Sequence, residues 1–167
     1  MTIPATLISN DAAEVREFIK AYQKAIFKPV YGGAHNKFMT EAHLELNRLN
    51  MALSISSVTI QEYISGTNIR SYVISESVYT AEIRSPALDF REDLDAELIP
   101  IDLPEAVHKQ CLAISQAFMV EWNAIDWRVK PTGEYVFLEA NPSPMFVHFE
   151  RQTGFPITQE LVKLLMD

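Results

Sequence analysis

The chain has one cysteine in 167 residues, Cys111, so no internal disulfide can form, which fits a reducing compartment. Cys111 falls in a helical apolar pattern and reads as a small buried hydrophobe, not a nucleophile. Basic residues are in deficit: 14 Lys and Arg against 22 Asp and Glu give a formal charge of −8. That balance argues against a nucleic-acid surface, and an anionic ligand would need local basic groups or a metal ion. No apolar run reaches membrane-spanning length and no signal-peptide pattern opens the chain, so a cytoplasmic protein without a membrane partner is expected. Internal repeats and low-complexity tracts are lacking too. No second histidine stands at metal spacing from His35, which reads as a loop residue. What is present is 48% apolar, enough to bury the core of one compact domain or two small lobes.

The most informative stretch is Tyr135-Val136-Phe137-Leu138-Glu139-Ala140-Asn141-Pro142-Ser143-Pro144, an apolar strand with a carboxylate and an amide at its end. Alternation predicts Phe137, Glu139 and Asn141 on one face and Val136, Leu138 and Ala140 on the other. The preceding Ala124–Val129 run and the Lys130-Pro131-Thr132-Gly133-Glu134 turn predict a hairpin. A two- or four-residue loop sets Asp126 opposite Glu139 and Arg128 opposite Phe137, with the two acids' β-carbons about 5 Å apart. Two ionised carboxylates so close need a cation between them, or one must be protonated. Oxygen donors of this kind suit Mg²⁺. One glutamate alone would read as an exposed strand face. The Glu-x-Asn strand end with an opposed Asp is what favours a site.

Elsewhere the periodicities are ordinary. Asp11 caps a helix, with Glu14 completing a box-like start and Val15, Phe18, Ile19 and Tyr22 as its buried face. Ala25–Val30 is a short strand that Pro29 places at an edge or strand end, with Lys28 inside it. Lys28 can snorkel to solvent or reach a phosphate. Adjacent Gly32 and Gly33 let backbone amides approach a ligand, though the Gly-Lys-Ser/Thr ending of a Walker A loop is missing. A helix is expected over 40–51 with Leu44, Leu46 and Leu49, then strands over 57–64, 69–75 and 78–84. Thr80, Glu82 and Arg84 share a face of the last. Residues 85–103 read as an irregular acidic loop. Pro104 opens a helix with Val107, Cys111, Ile114 and Phe118 as its stripe, and a final helix after Pro156 carries Leu161, Leu164 and Leu165.

Taken in order, these residues resemble the ATP-grasp ligases, and within them the RimK-like branch. Lys28-Pro29 before the glycine loop looks like the family's phosphate-binding lysine, and Gln61-Glu62-Tyr63-Ile64 like the hinge strand that holds adenine. Asn68-Ile69-Arg70 stands where RimK-type enzymes carry Asp-Ile-Arg. Ala81-Glu82-Ile83-Arg84 and Asp89-Phe90-Arg91 have counterparts, and Asp126 with Glu139–Pro144 matches the magnesium-binding end. The run from Ile125 to Glu139 and the ending Phe149–Thr158 are similar to the ligases that macrocyclise ribosomal peptides, the microviridin or graspetide type.

The resemblance implies an α+β ATP-grasp fold: two small lobes with ATP sandwiched between two antiparallel sheets. Residues 1–64 would be the lid lobe and 65–167 the C-terminal lobe, with the family's N-terminal domain expected to be absent from this chain. The implied chemistry is ATP- and Mg²⁺-dependent joining of a carboxylate to an amine or hydroxyl through an acyl phosphate, releasing ADP. Asp126, Glu139 and Asn141 would hold Mg²⁺. Lys28, with amides near Gly32 and Gly33, would bind phosphates. Gln61, Glu62, Tyr63 and Ile64 would bind adenine, and Asn68 the ribose. Arg84, assisted by Arg70, would stabilise the transferring phosphoryl group; Arg128 would assist or balance the carboxylates, and Arg91 would meet the substrate carboxylate. The expected partner is a peptide or protein bearing a carboxylate, and a homo-oligomer is consistent with the family. Asn68 replaces the ribose-binding acid, and His35-Asn36-Lys37 is not the usual small-residue run. Rival readings are a non-catalytic ATP-binding domain, a RimK-like amino-acid ligase, and a hydrolase using Asp126 and Glu139 as acid and base.

Overall fold

A computed structural model describes residues 1–28, 36–90, 93 and 95–166. The chain forms two compact units, Pro4–Ile64 and Met1–Ile3 with Ser65–Asp167.

In the first unit an antiparallel sheet runs in the order β1 (Thr6–Ser9), β4 (Val58–Glu62), β2 (Ala25–Lys28), β3 (Lys37–Phe38). Helices α1 (Ala12–Ala21) and α2 (Leu46–Ile55) cover one face, where Val15, Ala25, Leu49, Leu53 and Ile60 are buried together. Asp11 caps α1 by accepting from Ala13 N at 2.6 Å. Glu14 does not close the expected box. It accepts from Ser9 Oγ at 2.6 Å, and that hydroxyl in turn accepts from Asp11 N at 2.9 Å. Tyr22 is exposed at the helix end, its ring against Phe18. The helix expected over 40–51 starts later and runs further. Thr40 and His43 close a capping box on a single 3-10 turn, Glu41–His43. Glu45 then starts α2 by accepting from Asn47 N and Arg48 N, bonds that hold its carboxyl below the usual range, Arg48 most of all.

The second unit is built on the antiparallel order β7 (Glu97–Pro100), β6 (Ser77–Arg84), β5 (Thr67–Ile74), β8 (Trp122–Val129), β9 (Tyr135–Asn141). Strand β7, which lines up with 81–84 of β6, lies inside the stretch expected to be irregular. Gly66, just before β5, has φ +148°, and a Cβ there would stand 2.0 Å from the Val129 carbonyl oxygen. Only glycine lets the chain pass so near β8. At the other end, Thr2 bridges to Val136, and its hydroxyl donates to Glu134 Oε1 at 2.7 Å.

Alternation divides this sheet into two faces. Ile69, Val73, Ile125 and Trp127 pack against Val107, Cys111 and Ile114 of α3 (Glu105–Ala117). Tyr72, Ile74, Ala81 and Ala124 pack on the other face with Phe149 of α4 (Val147–Thr153) and Ile157 of α5 (Ile157–Met166). Two expected core residues are not core: Phe118 is 60% and Leu165 84% exposed, because α3 ends at Ala117 and α5 turns Leu161 and Leu164 inward instead. Periodicity does not announce α4, which has only seven residues and ends at Gly154 in the left-handed region, φ +74°.

Candidate functional site

In the second unit, register brings polar residues of three strands onto one face. Arg70 is the partner of Asp126, Asn68 of Arg128, Asp126 of Glu139, and Ala124 of Asn141. Cross-strand partners share a face, so Asn68, Arg70, Asp126, Arg128, Glu139 and Asn141 lie together, next to the Tyr72 cluster and away from α3. Arg70 Nε stands 3.3 Å from Asp126 Oδ1, both side chains 13% exposed, at an angle that makes an ion pair and not a hydrogen bond. Arg128, buried, donates from Nη1 to Asn68 Oδ1 at 2.6 Å. Asn141 Oδ1 accepts from Ser143 N at 2.9 Å, fixing the turn after β9.

The Asp126–Glu139 pairing matches the expected register, but what surrounds it does not. The hairpin closes with Val129 opposite Tyr135, so Arg128 faces Val136 and not Phe137. A bulge between Asp126 and Trp127 then restores the register, with Leu138 as the extra residue of β9. It also breaks alternation. Phe137 packs against Trp127 on the α3 face, opposite Glu139, and Ala140 joins that face too.

Arg84 is not brought to this group. It alternates with Thr80 and Glu82, and Glu82 is the register partner of Ile69 on the α3 face. Its Nε donates to Glu82 Oε1 at 2.8 Å, and its side chain is 59% exposed. That bond, with the charge of Glu82, raises the Arg84 pKa further. Placing Arg84 beside Arg70 is therefore corrected: the two guanidiniums are on opposite faces. Arg91 lies outside the described residues.

In the first unit, Lys28 closes β2 opposite Thr59 and shares a face with Ile26, Gln61 and Phe38, away from α1 and α2. Gln61 is buried and donates from Nε2 to Thr6 Oγ1 at 3.0 Å. Glu62 is the partner of Ala25 on the helix-covered side, and its Oε2 accepts from Ala5 N at 3.3 Å. Alternation thus sets the Gln61 and Glu62 side chains on opposite faces. Tyr63 N donates to Lys24 O at 3.0 Å, and Ile64 is buried. Lys24 Nζ lies 4.3 Å from the Tyr63 ring centre and 4.7 Å from that of Phe38, a cation–π cluster absent from the expected site. Gly32 and Gly33 lie outside the described residues.

Chemically, this face of the second unit offers two carboxylates, two amides and two arginines. No cluster of three His, Cys, Asp or Glu exists among the described residues. Asp126, Glu139 and Asn141 are nevertheless hard oxygen donors gathered by register. They fit Mg²⁺, which takes one or two carboxylates and completes its shell with phosphate oxygens and water.

A family model described as the RimK-like ATP-grasp domain matches residues 1–165. The chain belongs to that family. Among solved structures similar to this RimK-like ATP-grasp chain is the ligase PsnB complexed with a minimal precursor. It is 30% identical at a TM-score of 0.90, over 99% of this chain and 55% of PsnB. The macrocyclase MdnC from Microcystis aeruginosa MRC, bound with precursor peptide MdnA, is 29% identical at 0.88, covering 99% and 56%. A RiPP-associated ATP-grasp ligase from Chryseobacterium gregarium, in complex with ADP and a leader and core peptide, is 27% identical at 0.88, covering 99% and 55%. The chain spans about half the length of these structures. No curated protein sequence matches it.

Proposed function

We propose that this chain is the nucleotide- and metal-binding portion of an ATP-dependent ligase that joins a carboxylate of a peptide or protein to an amine or hydroxyl. The observation that carries the reading is the convergence of Asp126, Glu139, Asn141, Arg70 and Arg128 on one sheet face of a RimK-like ATP-grasp chain. Support for a peptide substrate comes from the relatives, several of which carry precursor peptides.

Asp126, Glu139 and Asn141 hold Mg²⁺ in this reading. When bound, the ion neutralises charge on the β- and γ-phosphates and orients them. Arg70 offers a planar fork to the transferring phosphoryl oxygens, and its ion pair with Asp126 keeps it beside the metal ligands. Arg128 holds Asn68, whose amide takes the ribose in place of an acid. Lys28, Gln61, Tyr63 and Ile64 are the first unit's own candidate nucleotide contacts in this reading, with Lys24 against the Tyr63 ring. Phosphoryl transfer to the substrate carboxylate gives an acyl phosphate, and attack by the amine or hydroxyl releases phosphate. Catalysis of this kind is mostly positioning and charge stabilisation, so a strong general base is not required.

The test is to supply ATP, Mg²⁺ and a peptide rich in acidic and hydroxyl or lysine side chains, and to follow ADP and peptide mass together. Ligation within the peptide gives one ADP and loses one water per bond. ATP binding with no ADP under any peptide would make the chain a binding domain without chemistry.

A further inference from the structure

Arg70 is held on more sides than its ion pair. Its guanidinium carbon lies 5.7 Å from the centre of the Tyr72 ring and 5.6 Å from that of Phe90, within cation–π range of both. The two rings come from different elements. Tyr72 is two residues along β5, 1% exposed, packed against Phe149 and Trp122. Its hydroxyl donates to the Met145 carbonyl at 2.6 Å, a few residues beyond Asn141. Burial, with the charge of Asp126, raises the Tyr72 pKa against the opposing effect of Arg70, so the phenol stays a donor at neutral pH.

Phe90 stands in the acidic segment after β6, and the local hydrogen bonds there hold it in place. Asp93 N donates to Phe90 O at 3.1 Å, and Ala96 N to Asp93 O at 3.3 Å. The Asp93 carboxylate accepts from Ser85 Oγ at 2.5 Å and from Asp95 N at 3.1 Å, while Ala87 N donates to Ser85 Oγ at 3.1 Å. Asp89, next to Phe90, is buried. Phe90, its carbonyl bonded to Asp93 N, brings one aromatic ring to Arg70.

We propose that Phe90 and Tyr72 form an aromatic clamp that fixes the Arg70 guanidinium against Asp126, making Phe90 a positioning residue for phosphoryl transfer that acts through Arg70. The proposal rests on the ATP-ligase reading for the word phosphoryl and on geometry alone for the clamp. An arginine on a long flexible stem gains little at a transition state unless its fork is already oriented. Two rings and one carboxylate orient it here.

The experiment compares the unaltered chain with Phe90→Leu and Phe90→Trp. One readout is the Arg70 Nε–H proton resonance, which two flanking rings displace from the position of a free arginine. Phe90→Leu should move it back and speed its exchange with water, and Phe90→Trp should preserve it. The second is calorimetric affinity for Mg²⁺–ADP with and without aluminium fluoride, a mimic of the transferring phosphoryl group. Phe90→Leu should leave Mg²⁺–ADP affinity and the melting temperature unchanged and reduce the gain from fluoride about tenfold. Phe90→Trp should restore it. An unmoved Arg70 resonance, or equal losses with and without fluoride, overturns the clamp as a positioning device. An unaltered chain that binds no Mg²⁺–ADP overturns the nucleotide reading itself, and is recognised by that failure before any variant is compared.

Discussion

The two faces of the five-stranded sheet are made of alternate residues of the same strands and differ in how their polar groups are held. On the α3 side the buried ones are small, neutral and bonded to one another, and the charged pair Glu82–Arg84 stands at the more exposed end of β6. Thr80 Oγ1 donates to Ser71 Oγ at 2.9 Å, Asn123 Nδ2 to Ser115 Oγ at 2.8 Å, and Ser115 Oγ to Cys111 O at 3.1 Å. The opposite face carries Arg70, Asp126, Arg128 and Glu139, two acids and two bases, grading from buried Arg128 to exposed Glu139. A polar residue inside a strand is thus a packing element when its capacity is spent on neutral neighbours. It is a candidate for chemistry when it is charged and held, mostly buried, among other charged groups, as Arg70 and Asp126 are and the exposed Arg84 is not.

The faces should separate by what their mutation changes. Trp127→Ala removes the largest fully buried side chain from the α3 side and should cost about 3–5 kcal/mol of stability, read by denaturant unfolding. Asp126→Asn, one residue away on the other face, should leave the melting temperature nearly unchanged. It should weaken Mg²⁺-dependent ATP binding at least about a hundredfold. Gly66→Ala forces a Cβ against the Val129 carbonyl at a strained φ and should cost about 2 kcal/mol or more in the same unfolding assay. Arg84→Ala should leave stability nearly unchanged, since its pair with Glu82 is exposed, while Arg70→Ala should lower ADP formation well beyond Arg84→Ala. Equal loss of activity in the two would return Arg84 to the site.

At neutral pH the smallest effect concerns Cys111. Burial pushes its thiol from an ordinary 9.0 up to about 11. Between those values the unfolded chain gives up the proton first, so stability should fall as pH rises from about 9 to 11 and be flat below. Cys111→Ala should abolish that part of the slope. In the native state a thiol reagent should modify Cys111 only through opening of the unit.

The pairing of Asp126 with Glu139 was legible from alternation and the turn, as was the shared face of Glu139 and Asn141. The pairing of Arg70 with Asp126 was not, because it depends on which strands are neighbours. The path of the hairpin was not legible. Gly133 N donates to Lys130 O and Lys130 N to Glu134 O, which shortens the pairing by one residue relative to a two- or four-residue loop. The bulge at Leu138 adds that residue back. The two shifts cancel at Asp126–Glu139, so the central pairing was predictable while the side of Phe137 was not. Arg84 misled for a related reason. Its resemblance to a family motif said nothing about parity along β6, and parity sets the face. Tyr72 and Phe90 carry no chemistry of their own, and only the folded arrangement shows them against Arg70.

The most direct measurement is calorimetric ATP binding with and without Mg²⁺, for the unaltered chain, Asp126→Ala and Glu139→Ala. The register pairing of these two carboxylates predicts metal-dependent binding that is lost in both variants, each still folded. Binding of the same strength in either variant, or binding indifferent to Mg²⁺, would contradict the assignment of Asp126 and Glu139 as a shared metal site.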